Sequence, residues 1–430
     1  MTLSVAVIGS GISGLTAAHA CRKAGWRVTL FEQEQVDGMA AHALPVDGGI
    51  VDVPLRVMGR HSWASVLALA DELGVETFDV NVYVSLSRLN GKTWFRSSRM
   101  PLTRWPVVGS LRYLDQRALR LALGLLRLRQ ITGQARGDKL TLEQLLAGQS
   151  IDPLFWRGLV LPILKTICTC EEEYLLRWPA GQLLSLLHDI LHRSDLLRLR
   201  GGTTALANAL AGDTASHKGS PVSRVRLNQK SISVHNARGD GGRFDRVIVA
   251  TQANQLGFLD GEPFAEERRV LSGIEYAQGE LLVHRDRRFM PAREDDWTAL
   301  NFQADESLDQ SMFTVWVNAV EPTLAEKPPV FQTWNPIHQP EPDQVLARIP
   351  MQRAVVTGRT AGILQKLRRW HARPDRRLFY CGSWAFEGVP LLESGVQSAL
   401  AVVRTVQDQL ETQGQNANLR PISKLRSGPA

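Results

Sequence analysis

The segment Gly9-Ser10-Gly11-Ile12-Ser13-Gly14 places three glycines at the spacing with which a backbone turn receives a pyrophosphate. The first glycine permits the tight turn, the second lets a phosphate approach the main chain, and the third lets the following helix sit close to the preceding strand. The N–H groups that open that helix then point at the phosphates. The same chemistry asks for an acidic side chain about 20 residues further on to bond a ribose hydroxyl, and Glu32 stands there. Glycine-rich hexamers also arise by chance, so the flanking elements decide. Residues 4–8 form an apolar run suited to a buried parallel strand, residues 15–24 a helix of small residues, and residues 27–31 a second apolar strand that ends at Glu32. The predicted ligand is a dinucleotide.

After Glu32 the chain reads Gln33-Glu34-Gln35-Val36-Asp37-Gly38, and this resembles the flavin-containing amine oxidase and phytoene desaturase superfamily. That family's pattern continues Gly-Gly-Arg, where this chain has Met39 and Ala40 after Gly38. Two further blocks agree with it: Gly201-Gly202-Thr203-Thr204-Ala205-Leu206, and Arg377–Gly382 followed by Leu392–Ala399. The resemblance implies FAD as cofactor. It implies contacts from Gly9, Gly11, Ile12, Ser13, Gly14, Glu32, Gln33, Gly38 and Met39 in the first block, and from Val222 at the adenine edge. Ala250 then ends a strand beside the flavin, and Gly382 lies near the ribityl chain. Ser383 replaces a family carboxylate there, and Gly395 and Val396 open a helix aimed at the flavin pyrimidine. Arg56 is open to two roles, holding an acidic substrate or a flavin phosphate. The stretches 51–57, 284–291 and 331–336 look like a bacterial and fungal branch of predicted FAD-binding proteins associated with fatty-acyl or lipid-like substrates.

The expected fold is α/β: a doubly wound, Rossmann-like FAD-binding domain assembled from residues 1–57, 196–255 and 366–410, with a discontinuous α+β substrate domain. Residues 58–195 read as a mostly helical insertion and residues 256–365 as an antiparallel sheet, with 411–430 as a disordered tail. Thr141-Leu142-Glu143-Gln144 has the form of a capping box, and Asp152-Pro153 opens a further helix.

Composition narrows the partners. The 430 residues carry a net charge of +7, which invites a nucleic acid or an anionic surface. No zinc finger, basic-region heptad or aromatic-basic sheet motif supports nucleic acid. Residues 115–130 alternate leucines and arginines at partly helical spacing. They suit either a solvated basic face of the substrate domain or a peripheral contact with a membrane or an acyl carrier. No metal site is expected, since Cys21, Cys168, Cys170 and Cys381 have neither zinc nor disulfide spacing. The expected location is cytoplasmic, extending to the inner membrane face: a strand begins within four residues of Met1, which leaves no room for a signal peptide.

In the resembled superfamily a mostly apolar cavity faces the flavin ring, and the ring takes a hydride from a C–H bond. Candidates for that cavity are His61, His284, Trp384 and Phe386, with Trp316 and Trp334 behind them and core packing as the competing role for each. His42, Glu387 and Glu393 complete the acid–base candidates. Amine oxidases of the superfamily keep a lysine near flavin N5, and residues 280–297 contain none. The expected reaction is removal of a hydride from a small apolar or amphipathic substrate to form a double bond, with an electron acceptor other than oxygen. The alternatives are an amine or amino-acid oxidase, a redox-neutral flavin isomerase, and a flavin-free prenyl-binding escort protein. No second glycine fingerprint suggests a nicotinamide site.

Overall fold

In the computed structural model, residues 2–38, 42–99, 106–134, 140–192, 196–412 and 414 are described. Met39 and nearly all of the expected tail lie outside the described residues. A five-stranded parallel sheet runs in the order Ala215–His217, Arg27–Phe31, Ser4–Ile8, Arg246–Val249, Leu378–Tyr380. Its central strand is buried at every position, which explains why its sequence is apolar throughout rather than alternating. Helix Ile12–Lys23 covers one face and packs against helix Leu392–Thr412. The two helices meet through Gly395, where a side chain would stand 2.8 Å from Ser13 Oγ and 2.9 Å from Ile12 Cγ2. On the other face lie the antiparallel strands Val222–Leu227, Ile232–Asn236 and Gly241–Phe244, and helix Thr360–His371 buries Ile363, Leu364, Leu367 and Trp370.

The second layer is an eight-stranded sheet in the order Val345–Val355, Glu275–His284, Phe331–Trp334, Ser311–Trp316, Leu300–Ala304, Val84–Arg88, Thr93–Arg99, Pro106–Val108. Here the sequence reading needs correction. Three of these strands come from the segment read as mostly helical, and Val84–Arg88 pairs in parallel with Leu300–Ala304. They are hard to read because Ser85 and Ser87 are buried polar residues inside the first of them. The long helix expected after Pro153 is also broken: a π segment, Trp156–Val160, separates Pro153–Phe155 from Leu161–Cys168. Pro162 has no N–H to offer the previous turn, and a local π register absorbs the missing bond.

The capping box is present, with Gln144 N donating to Thr141 Oγ1 at 3.2 Å and Thr141 N to Gln144 Oε1 at 3.0 Å. All four cysteines are buried and free, and burial pushes the Cys170 thiol up to about 12. Among the described residues no helix is long and apolar enough to cross a membrane, and no cluster of potential metal ligands occurs.

Candidate active site

The parallel sheet ends in a cleft of about 450 Å³, and the glycine turn forms its floor. Helix Ile12–Lys23 starts at Gly11, which carries no capping side chain, and its first turn holds no acidic residue. Its leading N–H groups therefore lack a side-chain acceptor at the cleft wall, an arrangement that favours an anion. A side-chain atom at Gly11 would meet nothing within 4 Å, whereas one at Gly14 would lie 1.8 Å from Gly9 O. The first glycine opens space to the cleft, and the second permits close packing of turn and helix.

Glu32 is held by this turn. Its Oε2 accepts from Ser10 N at 2.7 Å and Ser10 Oγ at 2.6 Å, while Oε1 accepts from Glu34 N at 3.0 Å. Gly38 N donates to Ser10 Oγ at 2.7 Å, which ties the following loop to the same knot. Each carboxylate oxygen has two acceptor directions, so Oε1 keeps one for a diol at the cleft. Ile12, Ser13, Gln33, Gly38, Val222, Ala250, Gly382 and Ser383 also line this space. Trp384 joins them, fixed by an indole N–H donated to Thr251 O at 3.0 Å. Gly14, Gly395 and Val396 do not line the cleft; they serve the packing behind it.

A second cavity, about 500 Å³, adjoins the cleft and shares Arg353, Leu391 and Leu392 with it. Its wall is mostly aliphatic and aromatic, including Leu121, Leu125, Leu281, Phe302, Phe313 and Trp334. Two arginines, Arg56 and Arg353, project into that wall. The segment carrying Arg56 is anchored from three directions. Asp52 accepts from Thr203 N at 2.8 Å and Thr203 Oγ1 at 2.7 Å, Gln332 Nε2 donates to Asp52 O at 2.6 Å, and Leu55 N donates to Gln332 Oε1 at 2.9 Å. Beneath it the buried Arg198 donates to Glu321 at 2.8 Å, Val320 O at 2.6 Å and Arg56 O at 3.2 Å. Both domains therefore contribute to the position of Arg56.

The family model of flavin-containing amine oxidoreductases matches residues 12–323. The chain belongs to that family. Solved structures with the same fold include a putrescine oxidase, 15% identical with a TM-score of 0.65 over 95% of this chain and 99% of that one. Cyclohexylamine oxidase from Brevibacterium oxydans is 14% identical, with a TM-score of 0.67 over 96% and 100%. A fatty acid isomerase from P. acnes that produces CLA is 14% identical, with a TM-score of 0.64 over 94% and 98%. A tRNA 5-methylaminomethyl-2-thiouridine biosynthesis bifunctional protein from Magnetococcus marinus is 52% identical over 42 residues, which span 10% of this chain and 6% of that protein. The protein is an FAD-dependent oxidoreductase.

The cleft fits that cofactor: uncapped helix N–H groups and the open face of Gly11 suit a pyrophosphate, and the free acceptor direction of Glu32 suits a ribose. The adjoining cavity meets this cleft at Arg353, Leu391 and Leu392.

Three of the four expected catalytic residues fall outside both spaces. His284 is fully buried between Phe289 and Phe331, bonded through Nε2 to Thr333 Oγ1 at 2.9 Å, and accepts Asp286 N at Nδ1. Burial lowers its pKa to about 4, so it is a neutral structural residue of the sheet. His61 is exposed and lines neither space. Phe386 and Trp316 also line neither, whereas Trp384 belongs to the cleft and Trp334 to the cavity. Glu393 is committed elsewhere: its carboxylate accepts Ser65 N and Val66 N and caps helix Ala64–Glu72. Glu387 pairs with Arg368 at the surface.

His42 does line the cleft, its imidazole held below the usual value by desolvation and by Arg56. The residue that sequence reasoning missed is Arg353. A signal for it existed: along Val345–Val355 the more buried positions are Val345, Ala347, Ile349, Met351 and then Arg353, so a lone arginine occupies the apolar phase of a strand.

Proposed function

We propose that this enzyme oxidises a C–C bond in an apolar-chain substrate: a hydride leaves one carbon for the flavin, a proton leaves the neighbouring carbon for solvent, and a double bond forms between them. One observation carries the reading. Among the described residues, the cavity next to the cofactor cleft is lined mostly by apolar side chains, with neutral polar groups such as Ser97, Ser98, Thr166, Thr169 and Gln332 and two arginines, and by no aspartate or glutamate. A protonated amine entering such a wall would lose its hydration, meet two positive charges and find no counter-ion. A neutral chain pays no such cost, and an anion, although it also loses hydration, meets two guanidinium donors of opposite charge. Electrostatics at the substrate wall therefore favours C–C over C–N oxidation, even though the family also contains amine oxidases.

When bound, FAD supplies the hydride acceptor. The chain's own residues do the rest. The aliphatic wall aligns an extended substrate and excludes water from the reacting carbons. Leu391 and Leu392, which belong to both spaces, form the threshold at which the substrate meets the cofactor. The redox-neutral isomerase has the same requirement for an apolar chain, and the fatty acid isomerase shares this fold.

Anaerobic mixing of the yellow holoenzyme with saturated and unsaturated acyl compounds, and separately with primary amines, tests the proposal. Bleaching of the flavin by an acyl compound, with a new double bond in the product, supports it. Bleaching by amines with no response to any acyl compound overturns it. A moved double bond without net electron uptake would convert it to the isomerase.

A further inference from the structure

Arg56 and Arg353 have unmet hydrogen-bonding capacity at the edge of an apolar space. Of the five N–H groups on each guanidinium, Arg56 uses one, Nη1 to Pro54 O at 2.7 Å, and its Nε is buried without an acceptor. Arg353 donates Nε to Thr169 Oγ1 at 2.9 Å and Nη1 to Pro390 O at 3.1 Å. Neither forms an ion pair with a described carboxylate, in contrast to Arg198 next door, which contacts two. Each is half-buried, and each borders the cavity.

Enclosure disfavours both charges: Arg56 is lowered to about 10 by desolvation and then by the Arg353 charge, which Asp52 only partly offsets, and Arg353 is lowered by desolvation. A pair of like charges with free, planar donors in an apolar enclosure is a receptor for an anion, and the guanidinium fork matches a carboxylate.

We infer that Arg56 and Arg353 form an anion subsite that holds the head group of an apolar-chain carboxylic acid, with the chain along the aliphatic wall. This rests on the proposed function and specifies its substrate class. A second source of negative charge is the reduced flavin itself, since Arg353 also borders the cofactor cleft.

The test uses the holoenzyme and palmitate, its methyl ester and hexadecylamine, followed by perturbation of the flavin spectrum and by calorimetry. Wild type should bind the acid at least about tenfold more tightly than the ester. Arg56→Met and Arg353→Met should each lose about tenfold or more for the acid and leave the ester unchanged, and the Lys variants should recover part. Equal binding of acid and ester by wild type overturns the inference while leaving the apolar-chain reading intact. This comparison needs no variant to fold. Failure of all three to bind defeats the reading itself. A negative shift in flavin potential in the Met variants, with acid affinity unchanged, assigns the arginines to the reduced flavin and overturns the substrate role.

A separate surface feature carries a second inference. Helix Gln116–Gln134 turns Leu121 and Leu125 toward the cavity, and exposes Leu119, Leu123 and Leu126 by 60%, 57% and 55% on its other side. Leu111 and Leu114, just before it, are exposed by 84% and 63%. Residues 106–134 contain five arginines and one aspartate. Val107 and Ala122 both line the cavity and reach the surface, so its mouth opens beside these leucines.

We propose that this leucine and arginine face docks on an anionic lipid bilayer and places the cavity mouth at the membrane surface. Vesicles of phosphatidylcholine with and without phosphatidylglycerol, sedimented with the full chain, test it. Binding should require the anionic lipid, weaken with salt, and fall at least tenfold in Leu119→Ser/Leu123→Ser/Leu126→Ser. Vesicle binding unchanged in that variant overturns the proposal. So does its absence in wild type, whether the face instead holds a second copy, seen as a leucine-dependent dimer, or an acyl-carrier protein.

Discussion

Gly11 and Gly14 stand three residues apart in one fingerprint, yet replacing them should fail in different ways. At Gly11 the backbone lies at φ −63° and ψ 176°, which any residue adopts, and an added side-chain atom meets nothing within 4 Å. Gly11→Val should therefore leave the apoprotein within about 1 kcal/mol of wild type, the scale of a changed helix cap. Its side chain fills the space of the pyrophosphate, so FAD no longer loads. The stabilisation from ligand binding, about 2.7 kcal/mol at a hundredfold excess over Kd, is lost with it.

At Gly14 the added atom stands 1.8 Å from Gly9 O and 3.2 Å from Ala250 Cβ. Non-bonded atoms settle near about 3.5 Å, so the helix must retreat by roughly 1.7 Å. Overpacking of this size costs about 3 kcal/mol, before any cofactor is considered. Urea unfolding of both apoproteins, followed by tryptophan fluorescence with and without FAD, separates the cases. Flavin stoichiometry comes from absorbance after denaturation. The reasoning is refuted if Gly11→Val retains stoichiometric FAD, or if its apoprotein unfolds as early as that of Gly14→Ala.

Glu32→Gln should weaken FAD binding nearly as much as Glu32→Ala, because the carboxylate faces three donors, Ser10 N, Ser10 Oγ and Glu34 N, and an amide NH₂ repels at least one of them; flavin titration of the apoproteins decides, with near-normal affinity of the Gln variant as the contrary result. Arg198→Met leaves Asp52 and Glu321 buried without their cation and should destabilise by about 3–5 kcal/mol, with partial recovery on adding Glu321→Leu; a thermal shift corresponding to less than about 1 kcal/mol would contradict it. Burial lowers the native pKa of His371 to about 3 and of His284 to about 4, below the unfolded value near 6.5. Between those limits the unfolded chain binds more protons, so stability is retained above about pH 6.5 and falls as pH drops toward 4. From pH 7 to 5.5 the two together should cost about 2.5 kcal/mol, and His371→Gln and His284→Gln should each flatten the slope in urea melts at those pH values.

The cofactor half of the site was legible because its chemistry is local. Turn, helix start and acidic residue are fixed by backbone geometry within residues 9–32, so residue types at set spacing report them directly. The strand Ser4–Ile8 and the capping box at Thr141 were readable for the same reason. The substrate half was not, because its residues meet only through tertiary structure. His284 looked like a cavity residue from its place on a strand, but the alternation of that strand turns it into the layer with Thr333 and Thr314, whose hydroxyls lie 2.8 Å apart. The strands Val84–Arg88 and Thr93–Arg99 carry serines and arginines where a strand pattern asks for apolar residues, and Pro106–Val108 is only three residues long; together they close the edge of a sheet whose other strands lie about 200 residues away.

Arg56 shows how the two halves depend on each other. Its residue type left a choice between a phosphate and an acidic substrate, and its position is what the proposed substrate role rests on. Asp52 and Gln332 anchor its segment, and Arg198 supports it from below. The side chain borders the larger, apolar cavity and not the cofactor cleft. The aspartate that could have neutralised it is already taken by Thr203 and Arg198. A fold that satisfies Arg198 with two carboxylates and, among the described residues, leaves Arg56 and Arg353 with none keeps positive charge at the cavity wall. That asymmetry is costly to stability, and a binding role for the cavity gives it a physical reason.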